Sequence, residues 1–414
     1  MSNKALQHVL TVLVFGLLAC EPTSAAEPSF KKLHLLPSYW SEGANVADLN
    51  KDGNLDIICG PHWFKGPNFK ERFEFYPAVA PTKRSRNDFA VYSLDNFFSF
   101  VHDCNRDGWP DILTVGLPGT TAYWYENPGD HSKRARENPP HWKKHFVMNH
   151  VDNESPRFGD LTGDGQPELI CMHQGEMGYA TPDSDDPTKP WAFQAVTSGG
   201  KWSKYTHGLG YGDVNGDGRA DLIMKDGWWE QPASKGDASW QPHPFRFAQR
   251  GGAQMFAYDV DGDGDNDIIT SLNAHGWGLS WFENMKGEDG KITFSEHRIM
   301  GSKAEESAHR VAFSQLHALS LVDVDGDGLK DIVTGKCYRA HDFGDQGSRE
   351  PAVLYWFRLT RKDGKVDFVP HLIDGDSGVG RQLVTGDING DGTVDIVIGN
   401  KKGTFVILQS LPTR

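Results

Sequence analysis

Seven short segments of this chain gather oxygen-bearing side chains at a spacing that suits one hard cation each. They begin at Asp48, Asp103, Asp160, Asp213, Asp259, Asp323 and Asp387. Positions 1, 3, 5 and 9 are Asp48, Asn50, Asp52 and Asp56 in the first copy, and Asp103, Asn105, Asp107 and Asp111 in the second. The third has Asp160, Thr162, Asp164 and Glu168, and the fourth Asp213, Asn215, Asp217 and Asp221. The last three have Asp259, Asp261, Asp263 and Asp267; Asp323, Asp325, Asp327 and Asp331; and Asp387, Asn389, Asp391 and Asp395. Position 6 is always glycine, which permits the sharp turn that keeps positions 1, 3 and 5 around one point. The acid at position 9 closes the cage from the start of the next strand. Oxygen donors in this number suit Ca2+ better than zinc or copper. An EF-hand is excluded, because it needs Glu at position 12. Here that position is Cys59, Thr114, Cys171, Met224, Thr270, Thr334 and Ile398. The third copy departs most from the pattern, so its affinity should be the weakest.

A second set of reactive residues stands six positions before each loop: Glu42, Phe97, Glu154, His207, Ala253, His317 and Arg381. Two and four residues nearer the loop the same register is mostly apolar, as in Val46, Leu209, Met255, Leu319 and Leu383. Side chains two apart share a face of a strand, so one rim should carry two carboxylates, two imidazoles and a guanidinium above a dry wall. Such a constellation could hold one further divalent metal at a channel mouth. It could also act as acid and base on a sugar-like substrate, with His207 or His317 abstracting a proton and Arg381 stabilising an enolate. Glu42, Glu154, His207, His317 and Arg381 are therefore the catalytic candidates. Connections on the same side add His62, His173, Lys225, Trp228, His275, Lys336, His341 and Lys401 as ligand-binding candidates. The plainer alternative, a hydrated channel mouth with no chemistry, stays open at this point.

The elements that must position these residues repeat with the loops. Successive copies start 46 to 64 residues apart, and each runs into a β-branched stretch such as Asp395-Ile396-Val397-Ile398. An aromatic strand follows, for example Tyr123-Trp124-Tyr125 or Leu354-Tyr355-Trp356-Phe357. A fourth strand often carries a histidine, as in Lys144-His145-Phe146-Val147 and Pro370-His371-Leu372-Ile373. Four short strands per repeat at this period predict an all-β fold, a seven-bladed β-propeller of four-stranded blades over residues 30–410. The last repeat ends after its third strand. Lys32-Leu33-His34-Leu35-Leu36 matches the missing fourth, so an N-terminal strand should close the ring and remove its open edges. Longer insertions at 127–141, 174–190 and 337–350 read as surface loops.

The formal charge is −14, which seven divalent cations would cancel, and no basic stripe points to nucleic acid. Lys4 and the apolar run from Val9 to Ala19 read as an export signal over residues 1–26, too short to span a membrane. Leu17-Leu18-Ala19-Cys20 also resembles a bacterial lipobox, so a lipid anchor at Cys20 is the one membrane link foreseen. The expected location is secreted, periplasmic or cell-surface. Cys59 and Cys171 should lie in the core, and no spacing suggests a disulfide framework.

The seven loops resemble the FG-GAP or VCBS repeats, calcium-loop propeller units also found in integrin α-chain heads, over about residues 30 to 409. The resemblance implies calcium at each loop and says little about activity. Thr206-His207-Gly208, Gly227-Trp228-Trp229-Glu230 and Ser377-Gly378-Val379-Gly380 are similar to the propeller domain of fungal aldos-2-ulose dehydratase. That family eliminates water from keto-sugars with a metal-containing propeller site, although its cupin-like region has no counterpart here. Two functions follow as expectations. One is a calcium-stabilised propeller binding a carbohydrate or protein ligand at the His/Glu/Arg rim. The other is a carbon–oxygen lyase, a sugar dehydratase working in that same pocket.

Overall fold

The runs that follow the acidic loops are mostly apolar without alternation, and the reason is that they are buried on both faces. In the computed structural model, which describes residues 28–79, 82–83, 90–91, 95–130, 140–234 and 239–410, strands Asp56–Cys59, Asp111–Val115, Asp221–Met224, Asp267–Ser271, Asp331–Gly335 and Asp395–Asn400 are buried throughout. Each is the second strand of a sheet. An inner strand lies on one side of it, and an aromatic third strand and an outer fourth strand lie on the other. All pairing within these four-strand units is antiparallel.

The protein is an all-β propeller of four-stranded blades. Five sheets contain four strands. A sixth contains eight, because inner strand Leu209–Gly212 pairs in parallel with inner strand Gln254–Tyr258 and joins two four-strand units of the same order. Strand Ser29–Leu36 pairs antiparallel with Gly403–Ser410 and stands where the last repeat has no outer strand of its own. Among the described residues helix is confined to two short 3-10 turns, Ala304–Glu306 and Ala340–Phe343, and no helix is long and apolar enough to cross a membrane. The export segment and Cys20 lie outside the described residues.

Apolar side chains fill the spaces between neighbouring sheets. Ile57, Cys59 and Phe64 of the first repeat share a cluster with Val397 and Val406 of the last. Leu169 and Cys171 pack with Leu113 and Trp124 of the preceding sheet. Cys59 and Cys171 are core residues, as their repeat position implies. The four described cysteines are free and buried.

Candidate functional site

Inner strands fix the site because each one links an acidic loop at one end to a rim residue at the other. Six residues at about 3.3 Å apiece separate the two by roughly 20 Å. Rim segments of neighbouring blades are tied by backbone hydrogen bonds. Glu154 N donates to Thr206 O at 3.0 Å and Arg381 N to Glu42 O at 2.6 Å. The close approach at Arg381 demands glycine before it, since a Cβ on Gly380 would lie 2.1 Å from the Glu42 carbonyl. The Ser377-Gly378-Val379-Gly380 motif thus has a packing reason.

Glu42, Glu154, His207, His317 and Arg381 meet at one place, in two halves. The first half is a closed ion network around Arg381. Its Nη1 lies 3.0 Å from Glu42 Oε2, and its Nε donates to Glu154 Oε2 at 3.0 Å. Nη1 also donates to Cys337 Sγ at 3.2 Å, and the guanidinium sits 5.3 Å above the Phe97 ring. Glu42 further accepts from Tyr39 at 2.7 Å and from Lys401. Burial alone would raise the Glu42 carboxyl, but Arg381 and Lys401 outweigh it and hold the pKa below the usual range. With both its carboxylate partners fixed, Arg381 serves here as a counter-charge. The role of enolate stabiliser, anticipated from the rim pattern, would require it to leave them.

The second half is open. Glu154, His207, His275 and His317 each bring one donor atom to within 4.8 Å of the others. His207 is 7% exposed and His317 1%, yet the Nε2 atoms of both lack a hydrogen-bond partner among the described residues. His207 Nε2 is 3.2 Å from Glu154 Oε2 but outside hydrogen-bond alignment. His317 Nδ1 is 3.3 Å from the Gln315 carbonyl, which accepts its hydrogen and leaves the Nε2 lone pair free. Burial, then the neighbouring His207 ring, lowers the His275 pKa to about 4. Burial and Arg381 push His317 well below its ordinary value. Burial would raise Glu154, but Arg381 reverses that and holds it well below. Neutral imidazoles with free lone pairs beside a carboxylate form a donor set for a divalent transition metal.

The remaining candidates scatter. His341 joins the periphery of the site, its ring stacked 4.2 Å from that of His275 at 10°. Lys401 belongs to the Glu42 network. His62 is buried against Trp40, its pKa lowered by burial to about 4. His173 bonds the His150 carbonyl at 3.1 Å. Lys336 is fully buried and donates to the Gly347 carbonyl. Trp228 is 2% exposed and stacked 3.9 Å from His243, so it offers no platform to a ligand. Its neighbour Trp229 instead lines a cleft of about 880 Å³ with Trp202, Trp240, Lys225 and Asp226. Asp345 was not foreseen. It sits on the 337–350 insertion, outside the repeat frame, where no periodicity could flag it. That insertion is strained: Arg339, His341 and Phe343 have φ of 55°, 44° and 67°, at a cost of about 1–3 kcal/mol each.

In the acidic loops the side chains fold back onto the loop's own backbone. In the first, Asp52 N and Gly53 N donate to Asp48 at 3.0 and 2.9 Å. The buried position-9 acid is also a backbone staple, since Asp56 accepts from Leu49 N and Gly66 N, both at 2.9 Å. Asp111, Asp221, Asp267, Asp331 and Asp395 repeat this two-sided acceptance. Burial first, then the neighbouring loop carboxylates, pushes Asp56, Asp111, Asp221, Asp267 and Asp331 up to about 7. In the third loop the Thr162 hydroxyl donates to Glu168 at 2.8 Å.

The FG-GAP-like repeat model matches residues 103–171, 259–334 and 323–398, just over half the chain, and the chain belongs to that family. No curated protein matches it. Among solved structures it is similar to an Agrocybe aegerita lectin described as recognising non-reducing terminal N-acetylglucosamine. That likeness is 16% identical with a TM-score of 0.46, over 93% of this chain and 86% of the lectin. It is also similar to the V. cholerae biofilm matrix protein Bap1, at 10% identity and a TM-score of 0.45, over 93% and 92% of the two chains. A third is the rhamnogalacturonan lyase YesW, at 13% and 0.41, over 91% and 72%. None is close enough to carry a ligand or an activity to this chain.

Proposed function

We propose that this chain is an exported seven-bladed propeller, stapled by calcium at its acidic loops, that binds a carbohydrate through one divalent transition-metal ion at its channel mouth. One observation carries the reading: three imidazoles and one carboxylate converge, and two of the buried ring nitrogens have no hydrogen-bond partner among the described residues. Unsatisfied polar atoms in a dry site are costly, and an ion on Glu154, His207, His275 and His317 would satisfy them. Three nitrogens and one oxygen favour zinc or a similar metal over calcium. The donors are recessed, so a small polyhydroxylated ligand reaches them more readily than a flat protein surface does.

Seven blades follow if the eight-stranded sheet counts as two, which its repeated strand order supports. Ring closure by the N-terminal strand is supported by its pairing with Gly403–Ser410 and by the core cluster shared between the first and last repeats. Calcium at the loops is supported by convergent carboxylates: Asp160, Asp164 and Glu168, Asp259, Asp261 and Asp263, and Asp323, Asp325 and Asp331 each bring donor atoms within 4.8 Å of one another. Export rests on the segment over residues 1–26, with a lipid at Cys20 as the alternative tether.

Two measurements test this. Elemental analysis of the purified protein should find one transition-metal equivalent that His317→Ala removes, and calorimetry should show saccharide heat only in the metal-loaded form. Wild-type protein that binds no such metal overturns the centre. Metal without saccharide, but with a captured protein, would favour the protein-ligand alternative. Consumption of a keto-sugar would make the protein a carbon–oxygen lyase, with His207 or His317 taking the α-proton. For the staples, EDTA should lower the melting temperature by roughly 10 °C or more; an unchanged melt refutes them.

A further inference from the structure

We infer that Asp345 is a positioning residue of the central site, holding His275 in the tautomer that turns its Nε2 lone pair to the ion shared with Glu154, His207 and His317. This rests on the metal-centre reading above. His275 Nδ1 lies 2.9 Å from Asp345 Oδ2, and His341 Nδ1 lies 3.1 Å from Asp345 Oδ1. An ionised carboxylate only accepts hydrogen bonds, so both Nδ1 atoms carry hydrogen. The nitrogen left to His275 as a donor to metal is then Nε2. His317 uses the same device with a backbone acceptor, its Nδ1 on the Gln315 carbonyl and its Nε2 unpartnered. Two of the three imidazoles are therefore oriented from behind, one by the chain itself and one by Asp345.

The carboxylate is held to this task. Ser348 Oγ donates to the Asp345 carbonyl at 2.6 Å, and Gln315 Nε2 donates to the Gln346 carbonyl at 2.6 Å. Gln315 thus fixes the tautomer of His317 with its own carbonyl and anchors the segment that fixes His275. The parallel stack of His341 on His275 covers the outer side of that imidazole, and His341 itself is 62% exposed in its side chain. A carboxylate behind a ligating imidazole sets ring orientation and basicity, and its loss typically costs 10–100-fold in metal affinity. The strained backbone at Arg339, His341 and Phe343 brings these groups to the rim.

The test uses full-length wild-type protein, Asp345→Ala, Asp345→Asn, Asp345→Glu and His317→Ala, with Zn(II) and Co(II) as probes. Competition against a chromophoric chelator should show affinity roughly 10–100-fold lower in Asp345→Ala and Asp345→Asn. Stoichiometry should stay at one, and Asp345→Glu should restore part of the affinity. Nitrogen-15 spectra of labelled histidines in the metal-free protein should show His275 protonated at Nδ1 in the wild type, and a mixture in Asp345→Ala. An Nε2-protonated His275 in the wild type overturns the inference whether or not metal binds. So does unchanged affinity in Asp345→Asn, or loss of a whole equivalent of a second ion, which would make Asp345 a ligand. The parent reading fails separately, if the wild type holds no metal that His317→Ala removes.

Discussion

The histidines of the outer strands and those of the channel mouth are the same residue put to opposite uses. On the outer strands His145, His243, His297 and His371 lie flat on third-strand tryptophans at 4.1, 3.9, 4.3 and 4.5 Å, and His34 stacks on Phe405 at 4.3 Å. The Nε2 atoms of His145, His243 and His297 meet a glutamate two residues beyond the tryptophan, at 2.7, 2.9 and 2.6 Å. Ring face and ring nitrogen are both satisfied within the blade, so these are fastenings between third and fourth strands. At the mouth, His207 and His317 are buried, yet their Nε2 atoms have no hydrogen-bond partner among the described residues. What separates a fastening from a ligand is whether the blade supplies its own acceptor.

That contrast can be attacked most forcefully through Arg381, the cation that lets Glu42 and Glu154 stay charged while buried. Arg381→Met should destabilise the fold by about 3–5 kcal/mol in urea unfolding, the usual cost of stranding buried charges. A change below about 1 kcal/mol would mean that the carboxylates do not depend on it.

A crossed pair of substitutions gives a smaller but sharper result. His317→Ala should weaken transition-metal binding by at least about 100-fold, equivalent to about 2.7 kcal/mol. His145→Ala should leave metal binding untouched and cost about 1–2 kcal/mol of stability through the lost stack and hydrogen bond. Equal effects of the two on metal affinity would erase the distinction.

The mildest effect should appear in the pH dependence of the metal-free protein. His275 titrates at about 4 in the folded chain against an ordinary 6.5, so below 6.5 the unfolded chain takes up protons that the folded one refuses. Stability contributed by His275 is full above 6.5 and is lost as pH falls towards 4. Glu42, whose pKa is lowered from 4.5, adds to the loss once pH falls below that value. Over that range the position-9 carboxyls, raised to about 7, take up protons in the folded chain and stabilise it as pH falls. The His275 contribution is therefore read as a difference in thermal melts: from pH 7.5 to 4.5 wild type should lose stability relative to His275→Ala. Parallel curves would contradict the neutral, buried state of that ring.

Much of this arrangement is legible in the chain. The loop spacing gives the propeller and its acidic sites. The register six residues before each loop gives Glu42, Glu154, His207, His317 and Arg381, because strand periodicity is strict and a dry wall below pins it. Residues on connections were harder to place. Trp228 and Lys336 look like surface groups beside charged neighbours, yet both are buried, since a loop's path decides its exposure and no period reports that path. The position-9 acids read as ligands alone, while their second service to two backbone N–H groups depends on where the third strand ends.

The sequence by itself determined what recurs: four strands per repeat and an acidic loop at one end of each inner strand, with a titratable residue at the other end in Glu42, Glu154, His207, His317 and Arg381. Those features follow from local hydrogen bonding and alternation, which every repeat restates. Tertiary structure alone decided which reactive residues meet. Arg381 reaches Glu154 across 227 residues, and Asp345 reaches His275 across 70. Contacts across a channel depend on how whole blades face one another, and that is set by the packing between sheets, beyond the reach of any single repeat.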